Sequence, residues 1–160
     1  MRVSIAKIIS GGQAGVDRAA LDAAIAVGIP HGGWCPQGRL AEDGPIDPRY
    51  RLQETESAGY RQRTRLNVIE SAGTLLLNEG LLSGGTALTH DFARRFRKPH
   101  LLIQLDEERS EAALCRVLQW VGECDVGVLN VAGPGERKRP GIHGRTLGFL
   151  VSVLESCARS

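Results

Sequence analysis

Residues 8–18, Ile-Ile-Ser-Gly-Gly-Gln-Ala-Gly-Val-Asp-Arg, constrain the fold more than any other stretch of this 160-residue chain. Val3, Ile5, Ile8 and Ile9 read as an apolar strand, and Gly11, Gly12 and Gly15 strip side chains from the turn that follows. Val16, Ala19, Ala20, Ala23 and Val27 then recur at helical spacing, the mark of a helix with one buried face. A strand, a glycine turn and a helix in direct succession aim free backbone N–H groups and the positive end of the helix dipole at one spot, which favours an oxyanion. The same turn also serves as a packing corner with no ligand. Taken alone, it leaves both uses open.

Strand and helix signals keep alternating. Gly28-Ile29-Pro30 ends the first helix, and a short extended piece follows near His31 to Trp34. Residues 35–49 carry Pro36, Gly38, Gly44, Pro45 and Pro48 and read as a long loop, with a short strand after it at residues 50–54. Residues 57–71 read as a helix with Tyr60, Thr64, Val68 and Ser71 along one face, and Thr74 to Asn78 as a compact strand. A second glycine turn, Ser83 to Thr86, precedes a helix with Leu88, Phe92 and Phe96 at four-residue intervals, which Pro99 ends. A strand over 100–105, a helix marked by Leu114, Val117, Leu118 and Val121, and a strand over 126–131 follow. A Gly/Pro loop at 132–141 leads into a last helix with Leu147, Leu150, Val151 and Leu154. Strands alternating with helices of this length predict right-handed crossovers. The expected fold class is therefore α/β, a three-layer Rossmann-like arrangement with a mostly parallel sheet covered by helices on both faces. It forms a single domain over residues 1–160.

Composition narrows the function classes. A net charge of +2 offers no bulk attraction for nucleic acid or a membrane surface, and neither is expected as a partner. No segment approaches the roughly 18–20 apolar residues of a membrane span, and no secretion-type apolar run precedes the first strand. Cys35, Cys115, Cys124 and Cys157 form no C-x-x-C pair and have no histidine at zinc-finger spacing. Cys115 and Cys157 fall on the apolar sides of their helices, where packing is their expected role. These features predict a reduced, cytoplasmic protein without a structural metal.

In an open parallel sheet, ligands bind beyond the carboxyl ends of the strands. Three polar, glycine-rich loops fall at that edge. The first, Ser10 to Arg18, contributes Gly11, Gly12, Gln13, Gly15, Asp17 and Arg18. Asp17 follows the turn closely enough to meet a ligand hydroxyl or amine. The second, Asn78 to Thr89, contributes Asn78, Gly84, Gly85, Thr86 and Thr89. The third, Asn130 to Gly141, contributes Asn130 and Gly133. Three such loops at one edge predict a cleft for a small anionic ligand. Trp34 is a candidate to stack on a flat heterocycle, and Arg39 to fork onto a phosphate. Of Arg49, Arg51, Arg61, Arg63 and Arg65, one or two are expected to face the cleft. The usual nucleotide signatures are missing: no Gly-Lys-Ser/Thr closes a P-loop, and no acidic residue ends a second strand about 20 residues after the first turn. His90 and His143 have no recognisable nucleophile or carboxylate pattern around them, so nothing here demands catalysis.

The ordered series 10–22 (Ser-Gly-Gly-Gln-Ala-Gly-Val-Asp-Arg-Ala-Ala-Leu-Asp), 33–39 (Gly-Trp-Cys-Pro-Gln-Gly-Arg), 41–46 (Ala-Glu-Asp-Gly-Pro-Ile), 64–68, 84–86 (Gly-Gly-Thr) and 130–134 (Asn-Val-Ala-Gly-Pro) resembles the molybdenum cofactor carrier family. That family is a branch of the Rossmann-like superfamily that also holds the lysine-decarboxylase-like phosphoribohydrolases. The resemblance spans nearly the whole chain. It implies binding of the molybdenum cofactor (molybdopterin) or a similar anionic ligand without turnover, homo-oligomerisation as a dimer or tetramer, and molybdoenzymes as recipients. The phosphoribohydrolases carry Pro-Gly-Gly-x-Gly-Thr-x-x-Glu, whose glutamate acts at the glycosidic bond. Aligning Gly-Thr on Gly85-Thr86 places Thr89 where that glutamate would stand, and Leu82-Ser83 replace the leading glycines. A hydroxyl cannot perform a carboxylate's acid–base work, so the expectation leans from enzyme toward binding protein. A nucleotide-binding sensor and a nucleoside-monophosphate phosphoribohydrolase-like enzyme remain the alternatives.

Overall fold

The computed structural model describes residues 3–159. In chain order the elements are β1 (Lys7–Ile9), α1 (Val16–Val27), β2 (His31–Gly32), β3 (Trp34–Cys35), β4 (Leu40–Ala41), β5 (Gly44–Pro45) and β6 (Gln53–Glu54). They continue with α2 (Tyr60–Glu70), β7 (Gly73–Asn78), α3 (Gly84–Arg95), β8 (His100–Gln104), α4 (Ser110–Cys124), β9 (Val128–Ala132) and α5 (Ile142–Arg159). The expected alternation is present. The 35–49 loop, however, carries a two-stranded antiparallel hairpin, β4 with β5, and β3 pairs with β6 in a parallel ribbon.

Five strands form one sheet in the order β2-β1-β9-β7-β8, and every pairing in it is parallel. Side chains alternate across each strand. Ile8, Leu75, Leu77, Ile103, Leu129 and Val131 therefore all turn to one face, where they join the buried sides of α1, α4 and α5 in the main core. Ala19, Ala20, Ala23 and Ala24 are wholly buried along α1, and these small side chains let α5 lie close against it. The opposite face is covered by α2 and α3, where Val68, Phe92 and Ala93 form a smaller cluster. β7 is buried at all six positions, as a central strand covered on both faces must be. Among the described residues no helix is long and apolar enough to cross a membrane.

Two details differ from the sequence expectation. Gly84 and Gly85 lie in the first turn of α3 rather than in a turn before it. Cys115 is exposed, because α4 buries the face carrying Ala113, Val117 and Val121 instead; Cys157 is buried as expected.

The topology positions the site. From β1 the chain steps through α1 to β2 on one side, and from β7 it steps through α3 to β8 on the other. β9, the last strand, fills the gap between them. The loops leaving β1, β9 and β7 therefore diverge at one point of the carboxyl edge, the place where open α/β sheets form crevices.

Candidate functional site

The first glycine turn is stitched to the loop after β9. The Val16 N–H donates to the Pro134 carbonyl at 3.2 Å, and the Glu136 N–H donates to the Ala14 carbonyl at 3.2 Å. Gly15 (φ +101°) stands at this seam; a Cβ there would lie 2.5 Å from the Pro134 oxygen. Arg18 N–H turns back to Gln13, and Ala19 N–H to Gly15. The protein's own carbonyls thus absorb most donors at the start of α1. Further along, the Glu136 carboxylate accepts the N–H groups of Gly141 (2.5 Å) and His143 (3.0 Å), capping α5. Those two bonds hold the Glu136 carboxyl below the usual glutamate range. Because its folded pKa is depressed, the stabilisation is complete above about 4.3 and fades as pH falls through the folded value. Glu136→Ala should lower stability by about 1 kcal/mol at neutral pH, the scale of a lost helix cap. Urea titrations at pH 7 and in acid would check this; a deficit that does not shrink toward low pH would refute it.

The start of α3 is different. Ser83 is extended, Gly84 has φ +54°, and the N–H groups of Gly84, Gly85 and Thr86 have no acceptor among the described residues. Ala87 N–H bonds back to Ser83, closing the turn below them. Lys138, from the loop after β9, places its ammonium on the Ser83 hydroxyl. The two loops are also clasped by Arg145, which grips Glu79 through two 2.7 Å bonds, and by Arg139, which lies over Gly80.

Between these walls lies a cleft of about 280 Å³, close to the lower end of small-molecule sites. Its lining carries charges of both signs. Ser83, Gly85, Thr86 and Lys138 line it together with Gln13, Asp17 and Glu42 and with Tyr60, Arg63 and Thr64 of α2. The Glu42 carboxylate accepts the Arg137 N–H at 3.0 Å, and Gln13 Oε1 accepts the Glu42 N–H at 2.8 Å. On the floor, Arg63 Nη1 donates to Asp17 at 3.1 Å, with only 14% and 5% of the two side chains exposed. Burial pushes the Asp17 carboxyl up, while Arg63 and the Gln13 backbone pull it back down. Arg63 lies flat over Gly11, where any Cβ would overlap the guanidinium.

Of the residues singled out in the sequence, Gln13, Asp17, Gly85, Thr86, Thr89 and Gly133 line the cleft, and Gly84 adjoins it. Gly11 and Asn130 lie just beneath. Gly12 and Gly15 shape the first turn without lining the cleft. Arg18 is held by Asp43 at 3.0 and 3.1 Å. Asn78 bonds the Gly80 carbonyl and Gln104. The structure does not bring Trp34 or Arg39 into the cleft: Trp34 Nε1 meets Glu70, and Arg39 spreads its guanidinium over the carbonyls of Asp47 and Tyr50, both at 2.9 Å. Tyr60, Ser83, Lys138 and Glu42 were not singled out, whereas Arg63, one of the five arginines of which one or two were expected to face the cleft, lines it. For Arg63 a signal existed: Arg61 and Arg65 share an exposed face at i, i+4, which leaves Arg63 pointing inward. Cys35 packs against Leu21, Ile46 and Tyr50, and burial pushes its thiol up. Among the described residues no group of three or more His, Cys, Asp or Glu is placed to hold a metal ion.

Fold and cleft together define a three-layer α/β protein of the Rossmann-like type, with a polar crevice where its strand order diverges. The chain belongs to the circularly permutated YpsA SLOG family, whose sequence model matches residues 8–154. A crystal structure of a protein from Syntrophus aciditrophicus SB, named "Putative molybdenum carrier protein", is 47% identical and superimposes with a TM-score of 0.93. The match covers 96% of this chain and 97% of that one. No curated protein matches the sequence.

Proposed function

We propose that this protein is a carrier that holds the molybdenum cofactor, or a closely similar anionic pterin, in the cleft without turning it over. The observation that carries this reading is the set of free donors at the start of α3. Three unpaired N–H groups and Lys138 form one corner, suited to a phosphate or oxomolybdate oxygen. The Asp17 and Glu42 carboxylates, which also line the cleft, suit the N–H groups of a heterocycle. The name of the 47%-identical relative supports the molybdenum cargo. Thr89 supports holding over hydrolysis, since its proton is committed to the Gly85 carbonyl at 2.8 Å and it has no carboxylate function.

Native mass spectrometry of the protein purified from a cofactor-producing host tests the reading. A bound species of molybdopterin mass, with stoichiometric molybdenum by elemental analysis, is the expected result. Lys138→Ala should weaken loading by about 10-fold to 100-fold, the range for a lost charge-assisted hydrogen bond. A ligand of nucleotide mass, or release of free base from nucleoside monophosphates, would overturn the carrier assignment.

A further inference from the structure

Where Arg63, Thr64, Thr89 and Asn130 converge beneath the cleft, the floor opens into a void of about 10 Å³. That is room for a single water-sized group. The void shares Asp17, Arg63, Thr64 and Thr89 with the cleft above, so it is an extension of that site.

The hydrogen-bond inventory around it is lopsided. Arg63 uses Nη1 on Asp17, but its Nε is buried with no partner. Thr64 commits its hydroxyl proton to the Tyr60 carbonyl at 2.8 Å, and Thr89 commits its own to Gly85 at 2.8 Å. Both threonines line the void with their hydroxyl protons already committed, so they have only lone pairs left to offer it, and Asp17 adds a carboxylate. Asn67 and Asn130 also line the void, with amide N–H groups donated to the Trp34 carbonyl and Thr74 Oγ1, which leaves Arg63 Nε as the one buried side-chain donor there with no partner among the described residues. A bare oxo or phosphoryl oxygen would answer Arg63 but face the threonine and carboxylate oxygens. An ammonium would answer the oxygens but leave Arg63 Nε unpaired, and buried polar atoms of either kind are costly to leave so. Water, a hydroxyl or the N–H/C=O edge of a lactam satisfies both.

We infer that this notch is a specificity subsite for one polar group that both donates and accepts, carried on the edge of a ring whose oxyanion arm occupies the α3 corner. The inference rests on the carrier reading of the cleft and adds the chemical class of the ligand: a heterocycle with a lactam or hydroxyl edge, not a simple oxyanion. One water is the expected occupant of the notch in the free protein.

Calorimetric titration with two probes, inorganic phosphate and neopterin monophosphate, separates the arm from the ring. The wild type should bind neopterin monophosphate at least 10-fold more tightly than phosphate. Arg63→Lys keeps a cation beside Asp17 but removes the Nε donor, and Thr89→Val removes an acceptor. Both should erase the margin between the probes, and Thr89→Ser should retain it. Equal affinity of the wild type for the two probes, or equal weakening of both probes in both variants, overturns the subsite and leaves the carrier reading standing. A folded wild type that binds neither probe removes the carrier reading and the subsite with it. A crystal structure of the free protein with a water on Arg63 Nε supports the inference; a dry notch counts against it.

Discussion

Replacing Arg63 with methionine is expected to destabilise the protein by roughly 3–5 kcal/mol at neutral pH, because it strands the Asp17 carboxylate in the interior. Asp17 is 4% exposed, and Arg63 is its close cation at 3.1 Å. The loss should depend on pH in a defined direction. Burial already pushes the Asp17 carboxyl above the usual aspartate value, and Arg63 opposes that push. Without Arg63 the folded pKa rises further. A raised folded pKa gives stability that is complete below the unfolded value, about 3.9, and is lost as pH rises through the folded value. The deficit of Arg63→Met against wild type should therefore be largest near neutrality and shrink as the solution is acidified. Asp17→Asn in the same chain should recover much of it, since the buried charge is then gone. Urea midpoints at several pH values check this. A midpoint unchanged near pH 7, or a deficit that grows toward acid, would show that the pair is not the buried, compensated one described.

Gly15→Ala is expected to cost about as much, roughly 3–5 kcal/mol, through a different cause. The backbone there has φ +101°, which an L side chain adopts only with strain. The new methyl would also stand 2.5 Å from the Pro134 oxygen, 2.7 Å from the Glu136 nitrogen and 2.8 Å from the Gly135 carbonyl carbon. These are backbone atoms, so no side chain can swing aside. Relief requires the loop after β9 to withdraw from the turn after β1, which breaks the Val16–Pro134 and Glu136–Ala14 bonds. A lower thermal midpoint, together with faster amide exchange at Val16 and Glu136, is the expected signature. Gly28→Ala is the fitting control: it shares a positive φ, +86°, but has nothing within 4 Å of the added carbon. Equal losses in the two variants would mean that backbone strain, rather than the clash, sets the cost.

The layered fold was legible because each element buries a face of fixed period. Val16, Ala19, Ala20 and Ala23 mark α1 at helical spacing, and the run from Thr74 to Asn78 marks a strand covered on both sides. The short pairings of β3 with β6 and β4 with β5 were not legible. Two-residue strands carry no periodicity, and tertiary packing places them. The candidate site was legible in part. Glycine turns advertise themselves by composition, so Gln13, Asp17, Gly85, Thr86, Thr89 and Gly133 could be found as a loop set. Trp34 and Arg39 show the limit: their chemistry suits a ring or a phosphate, but Glu70 and the carbonyls of Asp47 and Tyr50 take up their polar atoms.

The sequence by itself determined the order of strands and helices and the three glycine-rich loops at one sheet edge, because both follow from local chemistry: side-chain periodicity and the freedom of glycine. Only the tertiary structure decided which turn is open to a ligand. The first turn, after β1, is closed by Pro134, a residue distant in sequence, while the N–H groups at the start of α3 stay free, with Lys138 beside them. Whether a donor at a helix start is spare depends on which carbonyl from elsewhere in the chain arrives to meet it, and no local pattern encodes that meeting.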